Sequence, residues 1–149
     1  MRTIERVTDI EAHPSKVWRI LSSTAEYHLW NPFITRLDGH FVQGSRLTVT
    51  IKPGNRPATF RPTVLAVEEG KLIRWRGRLG VRGIFDGDHE LSLEELADGT
   101  TRFTQRETFS GILVPFVRRM LDDTEAGFMR MNAALRSRAL EGSPSSVPR

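Results

Sequence analysis

The sequence predicts an α+β fold: an antiparallel sheet of about seven strands, two short helices after the first strand, and one long C-terminal helix. Three observations predict it. Strand-like text broken by turn residues fills the chain from Pro32 to about residue 110. Apolar residues then step by three and four from Leu113 to Leu135. Within the strand-like stretch, a run of arginines is followed by a run of acids, as in a charge-paired hairpin.

The opening, Arg2 to Ile10, sets Ile4, Val7 and Ile10 among polar residues and reads as a strand. Pro14 sits at a helix start, where its missing N–H costs nothing, and Val17, Trp18, Leu21 and Ala25 follow at helical spacing. Thr24 is placed to cap a second short helix running to about Leu29, with Glu26 in its first turn. Pro32 ends this pair, because the residue before a proline avoids helical geometry.

Further on, Leu47, Val49 and Ile51 alternate with Thr48 and Thr50. Thr59 to Val67 is a second run, which Pro62 confines to an edge or a bulge. Leu72 to Leu79, Ile84 to Leu96 and Thr101 to Phe109 complete the set. Turn chemistry at Pro53-Gly54-Asn55, Glu69-Gly70, Gly80 to Gly83 and Asp98-Gly99 separates them, so an antiparallel meander is the economical topology.

Charge sets the register of the last three strands. Residues 71–83 hold Lys71, Arg74, Arg76, Arg78 and Arg82 and no acid, whereas residues 86–98 hold six acids and no Lys or Arg. A hairpin around Gly80 to Gly83 sets Arg74 opposite Glu90, Arg76 opposite Asp88 and Arg78 opposite Asp86, and puts Trp75 opposite His89 on the other face. The next hairpin, turning at Ala97-Asp98-Gly99, sets Leu93 opposite Phe103, Leu91 opposite Gln105, His89 opposite Glu107 and Arg106 opposite Glu90. One inner row then reads Trp75, His89, Glu107. A slip of one residue would bury the charges and expose Trp75 and Phe103.

After Gly111, Leu113, Val117, Met120, Thr124, Phe128, Met131 and Leu135 form one helical stripe, with Pro115 acceptable in a first turn. Residues 142–149 read as a disordered tail beyond a domain spanning 1–141.

Composition bounds the function. Over 149 residues, 38% hydrophobic and 27% charged content fits a globular chain rather than a disordered one. With no cysteine, disulfides, thiolate metal sites, iron–sulfur clusters and cysteine nucleophiles are excluded. Glu5, Asp9 and Glu11 interrupt the first twenty residues, so no signal peptide is read there. The longest uncharged apolar-rich run, Phe109 to Val117, falls far short of the roughly 20 residues a membrane span needs. A cytoplasmic protein without membrane insertion is expected. Although the pI is about 10.3, net charge is only +4, and of 22 Lys and Arg only Lys16, Lys52 and Lys71 are lysines. Arginine lifts the pI without making a basic tail, so no nucleic-acid partner is expected.

The order of elements, and two stretches in particular, carry a resemblance. One stretch is Ile10-x-Ala12-x-Pro14-x-x-Val17-Trp18-x-x-Leu21, followed by Tyr27-x-x-Trp30-Asn31-Pro32-Phe33. The other runs from His89 through Asp98-Gly99-Thr100 to Glu107-x-Phe109-x-Gly111, entering the last helix. Over residues 4–139 the chain resembles the START-like helix-grip superfamily, or SRPBCC, which includes the polyketide cyclase/dehydrase family and the major birch-pollen allergen. The resemblance implies a curved sheet wrapped around the long helix, leaving a cavity for an apolar ligand. It implies no fixed catalytic set, since members use differing cavity residues.

Candidate ligand contacts follow from the inner sheet face and the helix stripe. Trp75, Phe85, Phe103, Met120, Phe128 and Met131 supply apolar surface, and Tyr27, Trp30 and Phe33 flank the break that meets the sheet. The plain alternative is that these residues only fill a core or staple the helices down. His89, Gln105 and Glu107 form the inward polar cluster. His89 with Glu107 can act as an acid–base pair, contact a ligand head group, or simply satisfy one another. Asp86-x-Asp88-His89 is no metal site on a strand, since the two acids point away from His89 and face arginines. No metal or cofactor is expected, and no hydrolase, NTPase or dinucleotide motif is present. Three functions stay open: a binding protein for a hydrophobic small molecule such as a lipid, isoprenoid, polyketide or aromatic compound; a polyketide cyclase/dehydratase-like enzyme using His89 and Glu107; and a protein-interaction module with a closed core. The oligomeric state is left open.

Overall fold

The structure is a computed structural model that describes residues 1–79 and 83–141. The expected tail and the tip of the turn from Gly80 to Gly83 lie outside the described residues. Strand β1 (Arg2–Ile10) leads into α1 (Pro14–Ser22), a 3-10 turn at Thr24–Glu26, and α2 (Tyr27–Trp30). Strands β2 (Ile34–Asp38), β3 (Thr48–Ile51), β4 (Ala58–Phe60), β5 (Thr63–Glu68), β6 (Leu72–Leu79), β7 (Phe85–Glu95) and β8 (Thr101–Ser110) follow. A 3-10 turn at Val114–Phe116 precedes the last helix, α3 (Arg118–Leu140).

All the strand pairs are antiparallel, in two sheets ordered β1-β8-β7-β6-β5 and β2-β3-β4. The expected registers hold, with Trp75 opposite His89, His89 opposite Glu107, Leu91 opposite Gln105 and Leu93 opposite Phe103. On the outer face Arg76 grips Asp88 bidentately, at 2.6 and 3.0 Å. Arg78 stands 3.8 Å from Asp86. Arg106 faces Glu90 in register but bonds Glu5 on its other neighbour, β1, at 2.7 Å. A solvated ion pair needs only a partner within reach, so register narrows the choice without fixing it.

Three features differ from the sequence reading. The run from Thr59 to Val67 splits at Pro62 into β4 and β5, so among the described residues eight strands make two sheets where about seven in one were expected. Proline has no N–H for a ladder. The seam is closed instead by Leu47 N–H to Pro62 C=O (2.9 Å) and Val64 N–H to Ser45 C=O (2.8 Å). The strand-like stretch expected after Pro32 does hold β2, but the sequence picks out no strand there before Leu47. A register shift between Ile34 and Arg36 puts Ile34 and Leu37, three apart, both inward, so the period of two is absent. Thr24 caps nothing: its hydroxyl donates to the Gly39 carbonyl at 2.7 Å.

The core lies between the larger sheet and α3, which buries Leu121, Thr124, Gly127, Phe128, Met131, Asn132, Leu135 and Ala139. Leu113 and Val117 precede the helix, and Met120 is partly exposed at its first turn. Helix α3 packs chiefly on β1, at one side of the sheet, with α1 against it. Room is left on the other side, between β6, β7 and the smaller sheet.

Candidate functional site

That room is a cavity of about 240 Å³. Its floor is backbone. Gly77 and Gly87 face each other across β6 and β7, two positions from Trp75 and His89 on the same inward face. Trp75, Phe85 and Phe109 stand around that floor, with Phe85 and Phe109 stacked at 5.5 Å. Phe33, Ile34, Val49 and Ile51 close the opposite wall, and Phe60, Arg78 and Met120 border it as well. Phe33 is aimed by Asn31, whose side-chain oxygen accepts from the N–H groups of Phe33 (3.0 Å) and Ile34 (2.8 Å) as the chain leaves α2.

At the inner end sits the polar row. The His89 ring lies flat on Trp75, with centroids 4.7 Å apart, and Phe41 stacks on Trp75 at 5.8 Å. His89 Nδ1 is 3.2 Å from Glu107 Oε1, and Nε2 is 3.0 Å from Gln105 Oε1. Gln105 Nε2 donates to Asn132 Oδ1 (2.8 Å), and Asn132 Nδ2 donates to the Arg6 carbonyl and to Thr8 Oγ1, each at 3.2 Å.

This chain of bonds has a direction. The Arg6 carbonyl can only accept, which fixes the amide of Asn132, and that in turn fixes the amide of Gln105. Gln105 therefore presents its oxygen to His89, so Nε2 carries a hydrogen. Nδ1 and Glu107 Oε1 are left with one proton between them, on the imidazole or on the acid. His89 is 3% exposed and Gln105 not at all, so these bonds are sheltered from competing water.

Of the residues singled out from sequence, Phe33, Trp75, Phe85, His89, Glu107 and Met120 border the cavity. Gln105, Phe103, Phe128 and Met131 do not; they are buried behind it. Gln105 supports His89, while Phe128 packs edge-on against Phe33 at 5.5 Å and tilts against His89 at 5.2 Å. Tyr27 and Trp30 also lie away from it, packed edge to face at 5.2 Å, with the Tyr27 hydroxyl donating to the Leu21 carbonyl at 2.6 Å. They staple α1 and α2 together. Asn132 and Phe41 were missed, as was the facing glycine pair. Inward glycines on adjacent strands beside Trp75 and His89 were a readable sign of missing side-chain volume.

No helix among the described residues is long and apolar enough to cross a membrane. No curated protein matches the sequence. Among solved structures, the Zhui aromatase/cyclase of Streptomyces sp. R1128 superposes with a TM-score of 0.78 at 15% identity, covering 99% of each chain. Protein MLL2253 of Mesorhizobium loti gives 0.73 at 20% identity, over 91% of this chain and 95% of that one. A START superfamily protein of Mycobacterium smegmatis gives 0.72 at 17%, over 95% and 99%. At such identities the likeness is one of fold. The model of the family described as polyketide cyclase/dehydrase and lipid transport matches residues 1–139. With a family match over residues 1–139 and a sheet that grips its C-terminal helix around an apolar cavity, the chain belongs to the family described as polyketide cyclase/dehydrase and lipid transport.

Proposed function

We propose that this protein binds one small hydrophobic molecule in the cavity between sheet and C-terminal helix. The supporting observation is the floor formed by Gly77 and Gly87: the sheet withholds side chains where a closed core would place them. The volume of about 240 Å³ limits the guest. It exceeds the roughly 150 Å³ that accepts benzene and is below the ~300–1,000 Å³ of drug-sized sites, which suits a bicyclic aromatic or short isoprenoid. Native mass spectrometry of freshly expressed protein, followed by extraction of the bound molecule, tests this. A stoichiometric apolar ligand is expected, with loss of uptake in Met120→Trp, which narrows the cavity at a partly exposed position. A clean apo mass and no thermal shift across a lipid and aromatic library would favour a protein-interaction module instead.

A second reading is favoured by the His89–Glu107 pair at the inner end: acid–base chemistry on a bound polyketide-like or aromatic compound. His89→Gln separates the two. Binding within a few-fold of wild type is expected for the binding protein, and loss of turnover with binding retained is expected for the enzyme.

A further inference from the structure

The directed chain of bonds bears on what kind of polar group a guest can carry. Glu107 Oε1 is committed to His89, and among the described residues Oε2 takes no hydrogen bond. Oε2 lies against the cavity floor, since a Cβ on Gly87 would come within 2.5 Å of it. When the shared proton is on the imidazole, Oε2 is a carboxylate oxygen. When it is on Oε1, Oε2 is the carbonyl oxygen of the acid. In both cases Oε2 accepts and does not donate.

The Trp75 indole Nε1–H has no partner but is itself covered, so it does not offer a guest a donor at the cavity surface, and the other groups at that end are spoken for. Both His89 nitrogens are engaged, and Thr124 spends its hydroxyl on the Met120 carbonyl at 2.9 Å. Arg78, the arginine that borders the cavity among the described residues, stands 3.8 Å from Asp86.

Resting on the cavity reading above, we infer that the site selects neutral apolar molecules with a hydroxyl or phenol group, which donates to Glu107 Oε2. Carboxylates are rejected because two acceptors would meet without a proton between them. Ethers and hydrocarbons of the same shape bind more weakly, leaving Oε2 desolvated and unpaired.

Calorimetric titration of the wild-type protein with naphthol, methoxynaphthalene and naphthoate tests this. Naphthol is expected to bind about tenfold more tightly than either of the others. In Glu107→Leu, naphthol and methoxynaphthalene should bind alike. Should that variant fail to fold, isotope-edited imidazole NMR of the wild type gives a second reading, with a protonated Nε2 on His89 expected. Equal binding of all three probes, tighter binding of naphthoate, or an unprotonated Nε2 overturns the inference and leaves the cavity reading standing. No binding by any of the three, with Met120→Trp indistinguishable from wild type, removes the cavity reading as well.

Discussion

Replacing Gly127 by alanine sets two ordinary effects against each other, and the structure decides between them. In the interior of an exposed helix the change stabilises by about 1 kcal/mol, because glycine loses more backbone freedom on folding. Gly127, however, faces inward from the middle of α3, and its added Cβ would run into Cδ1 of Phe33 and lie 2.7 Å from its Cε1. That is far inside van der Waals contact. Phe33 is 1% exposed and braced by Phe128, so its ring yields only by displacing packed neighbours or turning into the cavity. Overpacking of this kind costs ~1–3 kcal/mol, and so close an approach belongs at the upper end. The net expectation is a destabilisation of about 2 kcal/mol, seen as a fall of about 6 °C in the thermal midpoint. Combining the change with Phe33→Ala, which removes every atom the added Cβ meets, isolates the cause. Without the ring, Gly127→Ala should become neutral or stabilising, a coupling that thermal or urea denaturation of the four proteins measures. An unchanged or raised midpoint for Gly127→Ala in the native background would refute the reasoning.

Two other expectations concern pH. Tyr27 is the only tyrosine, and burial pushes its phenol well above the ordinary value of 10.0. A raised folded-state value means stability that is full below the ordinary value and lost as pH rises past it. Ultraviolet titration should therefore show tyrosinate only as the fold is lost, and ionisation near the ordinary value with intact circular dichroism would contradict the assignment. At the acid end, hydrogen bonds from Arg102 and Arg136 hold Asp9 and Glu11 below their ordinary values of 3.8 and 4.5. Lowered folded-state values contribute stability above the ordinary carboxylate range that is lost as pH falls through the depressed values. Denaturation midpoints should fall across that window, by a small amount since both groups are exposed, and Arg102→Ala with Arg136→Ala should flatten the decline.

How much of this was legible depends on the kind of signal. The β6–β7–β8 registers were readable because the arginine and acid runs are complementary and a one-residue slip would invert the faces. That register alone carried the Trp75–His89–Glu107 row. Strand β2 was illegible because its bulge spaces Ile34 and Leu37 by three, a period that belongs to neither regular strand nor helix. Tyr27 and Phe33 looked equivalent on either side of one proline, and only the path of the chain puts the first under α1 and the second on the cavity wall. Asn132 lies beside a helix stripe read for its apolar members, so the group that orients Gln105 was not singled out.

The glycine floor has a consequence for how readily the site can change. Alanine, valine and serine are each a single-base step from a glycine codon, so at Gly77 and Gly87 the depth of the pocket is open to inheritance in small increments. The two positions are not equivalent. A Cβ at Gly77 meets the Phe60 ring at 3.2 Å, whereas one at Gly87 meets the Glu107 carboxylate at 2.5 Å. A lineage altering the first would trim the size of its guest, while one altering the second would also turn the inward acid Glu107, changing fit and polarity in one mutational step.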